Sequence, residues 1–144
     1  MFSIEYIDEV SGGDAQIRAE LIGVLRSQLK EMPEEIERLA EGGEYLKASR
    51  AAHTFKSTAL SIGDEELAVA MKRLEIVCKK ILLREWAGDK EDFEYQRIKK
   101  QMETLPTELD EWTEKNQCEE SVRNLIKICK LQSQKIIEGI GEEE

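Results

Sequence analysis

The sequence predicts an all-α protein: an antiparallel four-helix bundle with an additional C-terminal helix. Three observations lead to this prediction. Of the 144 residues, 40% are hydrophobic and 36% are charged, whereas only two are proline and nine are glycine. Apolar residues recur at intervals of three and four along most of the chain, which is the period of an amphipathic helix. No stretch alternates apolar and polar residues for long enough to predict a strand.

The first long amphipathic segment follows Gly12-Gly13-Asp14. Asp14 is suited to cap a helix, because its side chain can accept hydrogen bonds from the free amides of the next turn. Apolar residues at helical spacing continue as far as Leu29. Pro33, followed by two glutamates, predicts the start of a second helix, since proline is tolerated at the first helical position. Gly42-Gly43 predicts the end of that helix.

The third segment, from about Glu44 to Ile62, has the most regular apolar pattern of the chain. Its apolar positions are separated by three or four residues throughout, as in the buried face of one long helix. These positions are Tyr45, Ala48, Ala52, Phe55, Ala59 and Ile62. Gly63 then predicts the end of the helix, and Asp64 predicts the cap of the next one.

Two further helices are predicted before residue 115. The fourth runs from the cap at Asp64 to near Gly88, with an apolar face formed by Leu67, Met71, Leu74, Cys78 and Ile81. The fifth begins at Asp89, and its apolar positions extend from Tyr95 to Trp112. Pro106 lies inside that pattern, so we expect it to kink the helix or to divide it.

After a polar interval, the last amphipathic segment extends from Val122 to Ile137. From Gly139 onward the chain is acidic, and we expect this tail to be frayed. The predicted organisation is therefore a four-helix bundle at residues 1–115, followed at residues 116–144 by a C-terminal helical extension with an acidic tail. The sequence does not determine where the extension docks.

Composition excludes several classes of function. The formal net charge is −10, which argues against a broad basic surface for nucleic acid. With one histidine, three cysteines and no CxxC pair, a Cys/His zinc site is not expected. No apolar run approaches roughly 18 residues, so no membrane span is expected. Free thiols and the lack of a signal-peptide pattern at the start predict a cytoplasmic protein, and we expect it to be a monomer.

The single histidine, His53, lies about 100° around the helix from Ala52. It therefore lies beside the buried face, either facing outward or at the edge of that face. The residues one turn away on its side are Ser49, Arg50, Lys56 and Ser57. An accessible imidazole nitrogen can act as a nucleophile, and the two cations would attract a phosphoryl group, whose charge is about −1.5 to −2. The alternative is an ordinary solvated histidine on a helix surface.

A longer motif favours the functional interpretation. The run from Ala51 to Gly63, AAHTFKSTALSIG, resembles the signature of histidine phosphotransfer (HPt) domains. The matching positions are Ala52, His53, Phe55, Lys56, Ser57, Ile62 and Gly63, followed on the next helix by Leu67, Leu74 and Glu75. The resemblance covers roughly residues 5 to 113. Ser57 matches the family only in being small, since glycine is usual at that position. Leu60 departs from the family, where a small or polar residue is common.

The resemblance implies a phosphoryl carrier rather than an enzyme with its own ATP site. His53 would accept a phosphoryl group from the aspartate of a receiver domain and pass it to another receiver. Lys56, with Arg50, would stabilise the phosphorylated form. The receiver would dock on a face formed by Ser49, Arg50, Ser57 and Leu60. Response-regulator receivers and a hybrid histidine kinase are the implied partners, and no cofactor is expected on this chain, since Mg²⁺ would be carried by the receiver.

Two other functions remain open at this stage. The chain could keep the fold and dock a receiver or kinase without carrying phosphate, and Ser57 and Leu60 are the residues that support this alternative. It could also be a structural helical protein that associates through its C-terminal segment.

Overall fold

The computed structural model describes residues 2–143, with side chains described for residues 2–141. The described residues contain helices and no strand, so the predicted all-α class is confirmed. The helices are α1 (Glu5–Ser11), α2 (Ala15–Glu41), α3 (Tyr45–Ser61), α4 (Glu65–Arg84), α5 (Phe93–Glu103), α6 (Thr107–Asn116) and α7 (Glu119–Glu143). None of them is long and apolar enough to cross a membrane.

The bundle is formed by α2, α3, α4 and α7. The most extensive packing is between α3 and α4, and α7 packs against both α2 and α4. Buried apolar side chains of all four helices form one continuous core, which also includes Ile7 of α1 and Ile4 just before it. Helices α5 and α6 lie outside this bundle and pack on α4.

Helix α2 is longer than the sequence predicts. Asp14 caps it as expected, because its Oδ1 accepts hydrogen bonds from the amides of Gln16 (2.9 Å) and Ile17 (3.1 Å). The prediction that Pro33 begins a new helix is wrong, since α2 continues through it to Glu41. Pro33 is buried in phase with the core residues on either side of it. Packing along this continuous face outweighs the one backbone hydrogen bond that proline removes.

The predicted buried face of α3 is confirmed. Five of its six apolar positions are fully buried, and Tyr45 is half-buried. Gly63 ends the helix with a φ of 69°, a left-handed conformation that suits glycine. Asp64 then caps α4, since its Oδ1 accepts a hydrogen bond of 2.9 Å from the Leu67 amide. The path of the chain from α3 into α4 therefore follows the sequence signals closely.

Two boundaries after α4 differ from the prediction. Helix α4 ends at Arg84 rather than near Gly88, and Trp86 lies in the connecting loop with its ring 5.2 Å from that of Tyr95. Helix α5 is capped by Asp92 and not by Asp89. The start of α5 follows from that cap, since the Asp92 side chain accepts a hydrogen bond of 2.8 Å from the Glu94 amide.

Pro106 divides the predicted fifth helix into α5 and α6. Its φ and ψ of −55° and 144° are extended, so the helical path stops there and restarts at Thr107. The two short helices close a second, smaller apolar cluster against α4. Its fully or nearly buried members are Ile76, Ile98 and Met102.

The C-terminal helix α7 docks against α2 and α4, a position that the sequence did not determine. Helix α7 contributes six buried side chains to the main core: Val122, Leu125, Ile126, Cys129, Ile136 and Ile140. Residues on both sides of position 116 thus share one core, and the predicted division there is not visible as a gap in packing. The prediction that the chain is frayed from Gly139 onward is wrong for the described residues, because α7 continues to Glu143 and Ile140 is 0% exposed. The acidic side chains of residues 142–144 lie outside the described part.

Candidate functional site

His53 lies on the outer face of α3, and its side chain is 59% exposed. The preceding residue, Ala52, is fully buried in the core. This is the placement that the helical pattern predicts. Because the opposite face of α3 is packed against α2 and α4, the backbone that carries the imidazole is held rigidly.

The imidazole is held by a carboxylate from the neighbouring helix. Oε1 of Glu75, on α4, lies 3.0 Å from Nδ1 of His53, and Oε2 lies 3.4 Å away. Glu75 is 5% exposed. In the neutral ring, Nδ1 donates its proton to this carboxylate, so the lone pair resides on Nε2. Among residues 2–143 the ring makes no other hydrogen bond, which leaves Nε2 to an incoming group.

Three lysines surround the Glu75 carboxylate. Nζ lies 3.4 Å from it in Lys79, 3.9 Å in Lys56 and 4.0 Å in Lys72. An unpaired charge would be costly at a position this buried, and the lysines pair with the carboxylate there. Three positive charges against one negative charge leave a local excess of positive charge beside the exposed imidazole, although the whole chain has a formal net charge of −10.

The two predicted cations, Lys56 and Arg50, form ion pairs with different helices. The Lys56 side chain is 18% exposed and is directed at Glu75. The Arg50 side chain is 60% exposed and forms an ion pair of 3.0 Å with Glu94 of α5. Glu94 also pairs with Arg97 at 2.7 Å. Lys56 therefore faces the carboxylate of Glu75, whereas Arg50 faces α5.

The remaining predicted docking residues divide into exposed and buried ones. Leu60 is 62% exposed, so it projects from the bundle. Ser57 is exposed, and its hydroxyl lies 3.5 Å from the His53 carbonyl oxygen, a long hydrogen bond. Ser49 is fully buried and donates its hydroxyl to the Leu46 carbonyl at 2.7 Å. The expectation that Ser49 lies on an exposed docking face is therefore wrong, because its side chain is buried and lines the space between α3, α4 and α5.

An open groove lies beside His53, between α3, α4 and α5. We call it the α5 groove; its volume is about 620 Å³. His53 and Thr54 form part of its rim, and Glu75 lines it from α4. Four cationic side chains also line it: Arg50, Lys72, Lys79 and Arg97. Neither the groove nor α5 as its wall was predicted from the sequence.

Glu75, Lys72 and Lys79 are the functional candidates that the sequence analysis missed or left without a role. Glu75 was noted only as a match to the family pattern. The available signal is that Glu75 follows the buried Leu74 and carries a lysine three residues before it and another four residues after it. Such spacing places all three charges on one side of a helix. Their meeting with His53, 22 residues before Glu75, is a tertiary contact that no local pattern contains.

Comparison with known proteins identifies the family of the chain. A family model for the Hpt domain matches residues 20–113, about two thirds of the chain. Searches of curated proteins and of solved structures found no match. The matched region contains His53, Glu75 and the three lysines, as well as all of the residues that line the α5 groove. The chain therefore belongs to the Hpt domain family.

Proposed function

We propose that this protein is a phosphoryl carrier in a multistep two-component phosphorelay. His53 accepts a phosphoryl group from the aspartate of one receiver domain and passes it to another receiver. The observation that carries this proposal is the exposed imidazole of His53, whose Nδ1 lies 3.0 Å from the buried carboxylate of Glu75. This arrangement orients the ring and makes Nε2 the nucleophile.

In the transfer step, the Nε2 lone pair attacks the phosphorus atom of the receiver's phosphoaspartate. The new N–P bond forms as the P–O bond to aspartate breaks, and the aspartate leaves as a carboxylate. The proton on Nδ1 stays in place, so positive charge develops on the ring, and the Glu75 carboxylate stabilises that charge. The second transfer is the reverse reaction with another receiver. Mg²⁺ on the receiver would neutralise the phosphoryl oxygens, and we propose no cofactor on this chain.

The lysines have a supporting role in this proposal. Lys56, Lys72 and Lys79 pair with the Glu75 carboxylate, at distances of 3.4–4.0 Å. Their excess positive charge also favours a phosphoryl group on the adjacent ring, because that group carries a charge of about −1.5 to −2. Lys56 thus stabilises the phosphorylated form without contacting Nε2 in the unphosphorylated structure.

We assign receiver docking to the exposed face around His53. Leu60, which lies two turns further along α3, offers an apolar contact, and apolar groups near the centre of an interface often carry much of the binding energy. Helix α2 packs against α3 and exposes two more apolar side chains, Ile17 (43%) and Val24 (55%). The phosphoryl donor would be the receiver of a hybrid histidine kinase, and the acceptor would be a response regulator.

A relay reconstituted from two receivers tests this function. A radiolabelled phosphorylated receiver is mixed with the protein, and the second receiver is then added. We expect acid-labile, base-stable label on the wild-type protein, loss of that label when the second receiver is added, and no label on the His53→Gln variant. Equal labelling of wild type and His53→Gln would refute the proposal, as would a lack of label with every receiver of the source genome. A wild-type protein that binds receivers but never carries label would be a docking module.

A further inference from the structure

Part of the α5 groove lining, Arg97 and the apolar side chains, has no role in the phosphoryl transfer proposed for Nε2. We propose that this groove binds an acidic, amphipathic segment of a partner protein, in addition to the receiver contact at His53. The inference goes beyond phosphotransfer, because it concerns a second contact surface that includes residues with no part in the transfer step.

The charges around the groove are only partly balanced. Arg50 and Arg97 share one carboxylate, Glu94, while Lys72 and Lys79 share Glu75. Four cations thus face two carboxylates in a protein whose formal net charge is −10. The Arg50 and Arg97 side chains are 60% and 40% exposed, so each guanidinium can also receive carboxylates from a partner.

Apolar side chains form part of the groove lining, beside the buried Ser49 and Glu75. Ile76 and Met102 are almost fully buried there, and Leu46 and Leu105 pack beside them. A lining that combines apolar and cationic side chains is complementary to a segment with apolar residues on one side and carboxylates on the other. The flexible side chain of Met102 would help the apolar part of the lining adapt to such a segment.

A nucleic acid fits the groove less well than an acidic protein segment. Single strands bind by stacking their bases on aromatic side chains along a basic path. Among the described residues that line the groove, none is phenylalanine, tyrosine or tryptophan.

The location of the groove lets it act together with the histidine. Glu75 lines the groove and is the residue that Nδ1 of His53 faces. A bound segment therefore approaches the imidazole from its Nδ1 side and leaves Nε2 accessible to a receiver. The groove would serve as a second docking contact for a partner that engages His53.

A labelled peptide tests this inference directly. The probe is a fluorescent peptide of glutamate and leucine, about four helical turns long and with leucine on one face, and its control has lysine in place of every glutamate. Binding is measured by anisotropy with the full-length protein. We expect Arg97→Glu to weaken binding of the acidic peptide at least about tenfold, Arg97→Gln to weaken it less, and Lys135→Glu, an exposed reversal on α7, to change it less than about twofold.

The single histidine supplies a second measurement. Because His53 is the only histidine in the chain, its ring protons give an unambiguous NMR signal. We expect the acidic peptide to shift this signal in the wild type. The inference is overturned if both charge reversals weaken binding equally, if the peptide binds without shifting the His53 signal, or if the lysine peptide or a single-stranded oligonucleotide binds at least as tightly as the acidic peptide.

Discussion

Oε1 of Glu75 lies 3.0 Å from Nδ1 of His53, across the interface between α4 and α3. The same carboxylate, which is 5% exposed, lies 3.4–4.0 Å from the ammonium nitrogens of three lysines. Glu75 thus links the orientation of the imidazole to the positive charge that surrounds it. In the proposed mechanism it is a positioning residue, since it acts on the phosphoryl group through His53.

The Glu75→Gln variant should lose transfer activity and some stability. The amide can still occupy the site, but it removes the negative charge that the three lysines require. We expect receiver-to-His53 transfer to slow at least about tenfold and the free energy of unfolding to fall by about 1–3 kcal/mol. Rapid-quench kinetics and urea denaturation measure the two effects. Glu66→Gln, an exposed change on α4, is the control, and unchanged transfer in Glu75→Gln would contradict the positioning role.

Leu60→Ala should weaken receiver binding without destabilising the protein. Leu60 is 62% exposed, and Leu131 on α7 is 61% exposed, so Leu131→Ala is a closely matched control. Loss of an apolar contact near the interface centre should cost about 1–2 kcal/mol of binding energy in Leu60→Ala. Titration calorimetry with a cognate receiver measures this difference. If the two variants bind the receiver equally well, Leu60 is not part of the docking face.

The two replacements of Ser57 separate its bulk from its hydroxyl. Ser57→Gly restores the residue that the family usually carries, and Ser57→Ala removes only the hydroxyl. We expect Ser57→Gly to transfer faster than wild type because the receiver can approach more closely, at a cost of about 0.5–1 kcal/mol in stability. Rapid-quench assays measure the rate of phosphoryl transfer, and thermal melts measure the change in stability. Slower transfer in both variants would show instead that the hydroxyl contacts the phosphoryl group.

Much of this architecture could be predicted from local signals. The buried face of α3, the caps at Asp14 and Asp64 and the outward position of His53 follow from helical periodicity and from hydrogen bonding within one turn. Pro33 was misleading because its local preference for a helix start was outweighed by the core packing of α2. The contact between Glu75 and His53, and the wall that α5 gives to the groove, could not be predicted because they depend on how separate helices pack.

The place of α7 in the core makes its buried side chains important for stability. Ile136 on α7 is 1% exposed, whereas Ile128 on the same helix is 48% exposed. Ile136→Ala should lower the free energy of unfolding by about 2–4 kcal/mol, since it leaves a cavity in the core. Ile128→Ala should change it by less than about 1 kcal/mol. Chemical denaturation of the two variants makes the comparison, and equal losses would show that α7 does not belong to the core.

The three thiols should differ in reactivity toward alkylating agents. Burial raises the pKa of Cys78 to about 12, and burial likewise raises the pKa of Cys129 to about 12. Hydrogen bonding to the Ser121 side chain lowers the pKa of Cys118, which is partly exposed. At mildly alkaline pH, iodoacetamide should therefore modify Cys118 first in the folded protein. Peptide mapping by mass spectrometry identifies the modified residue, and early labelling of Cys78 or Cys129 would contradict this order.

In the proposed mechanism the phosphoryl group resides on Nε2 of His53 while Nδ1 stays hydrogen-bonded to Glu75. Heteronuclear NMR of the ¹⁵N-histidine-labelled protein, phosphorylated by a cognate phosphorylated receiver, identifies the ring nitrogen bonded to phosphorus. We expect one phosphohistidine, with the N–P bond at Nε2 and the proton retained on Nδ1. A phosphoryl group on Nδ1 or on another residue, or a histidine that stays unmodified with every receiver that binds the protein, would contradict it.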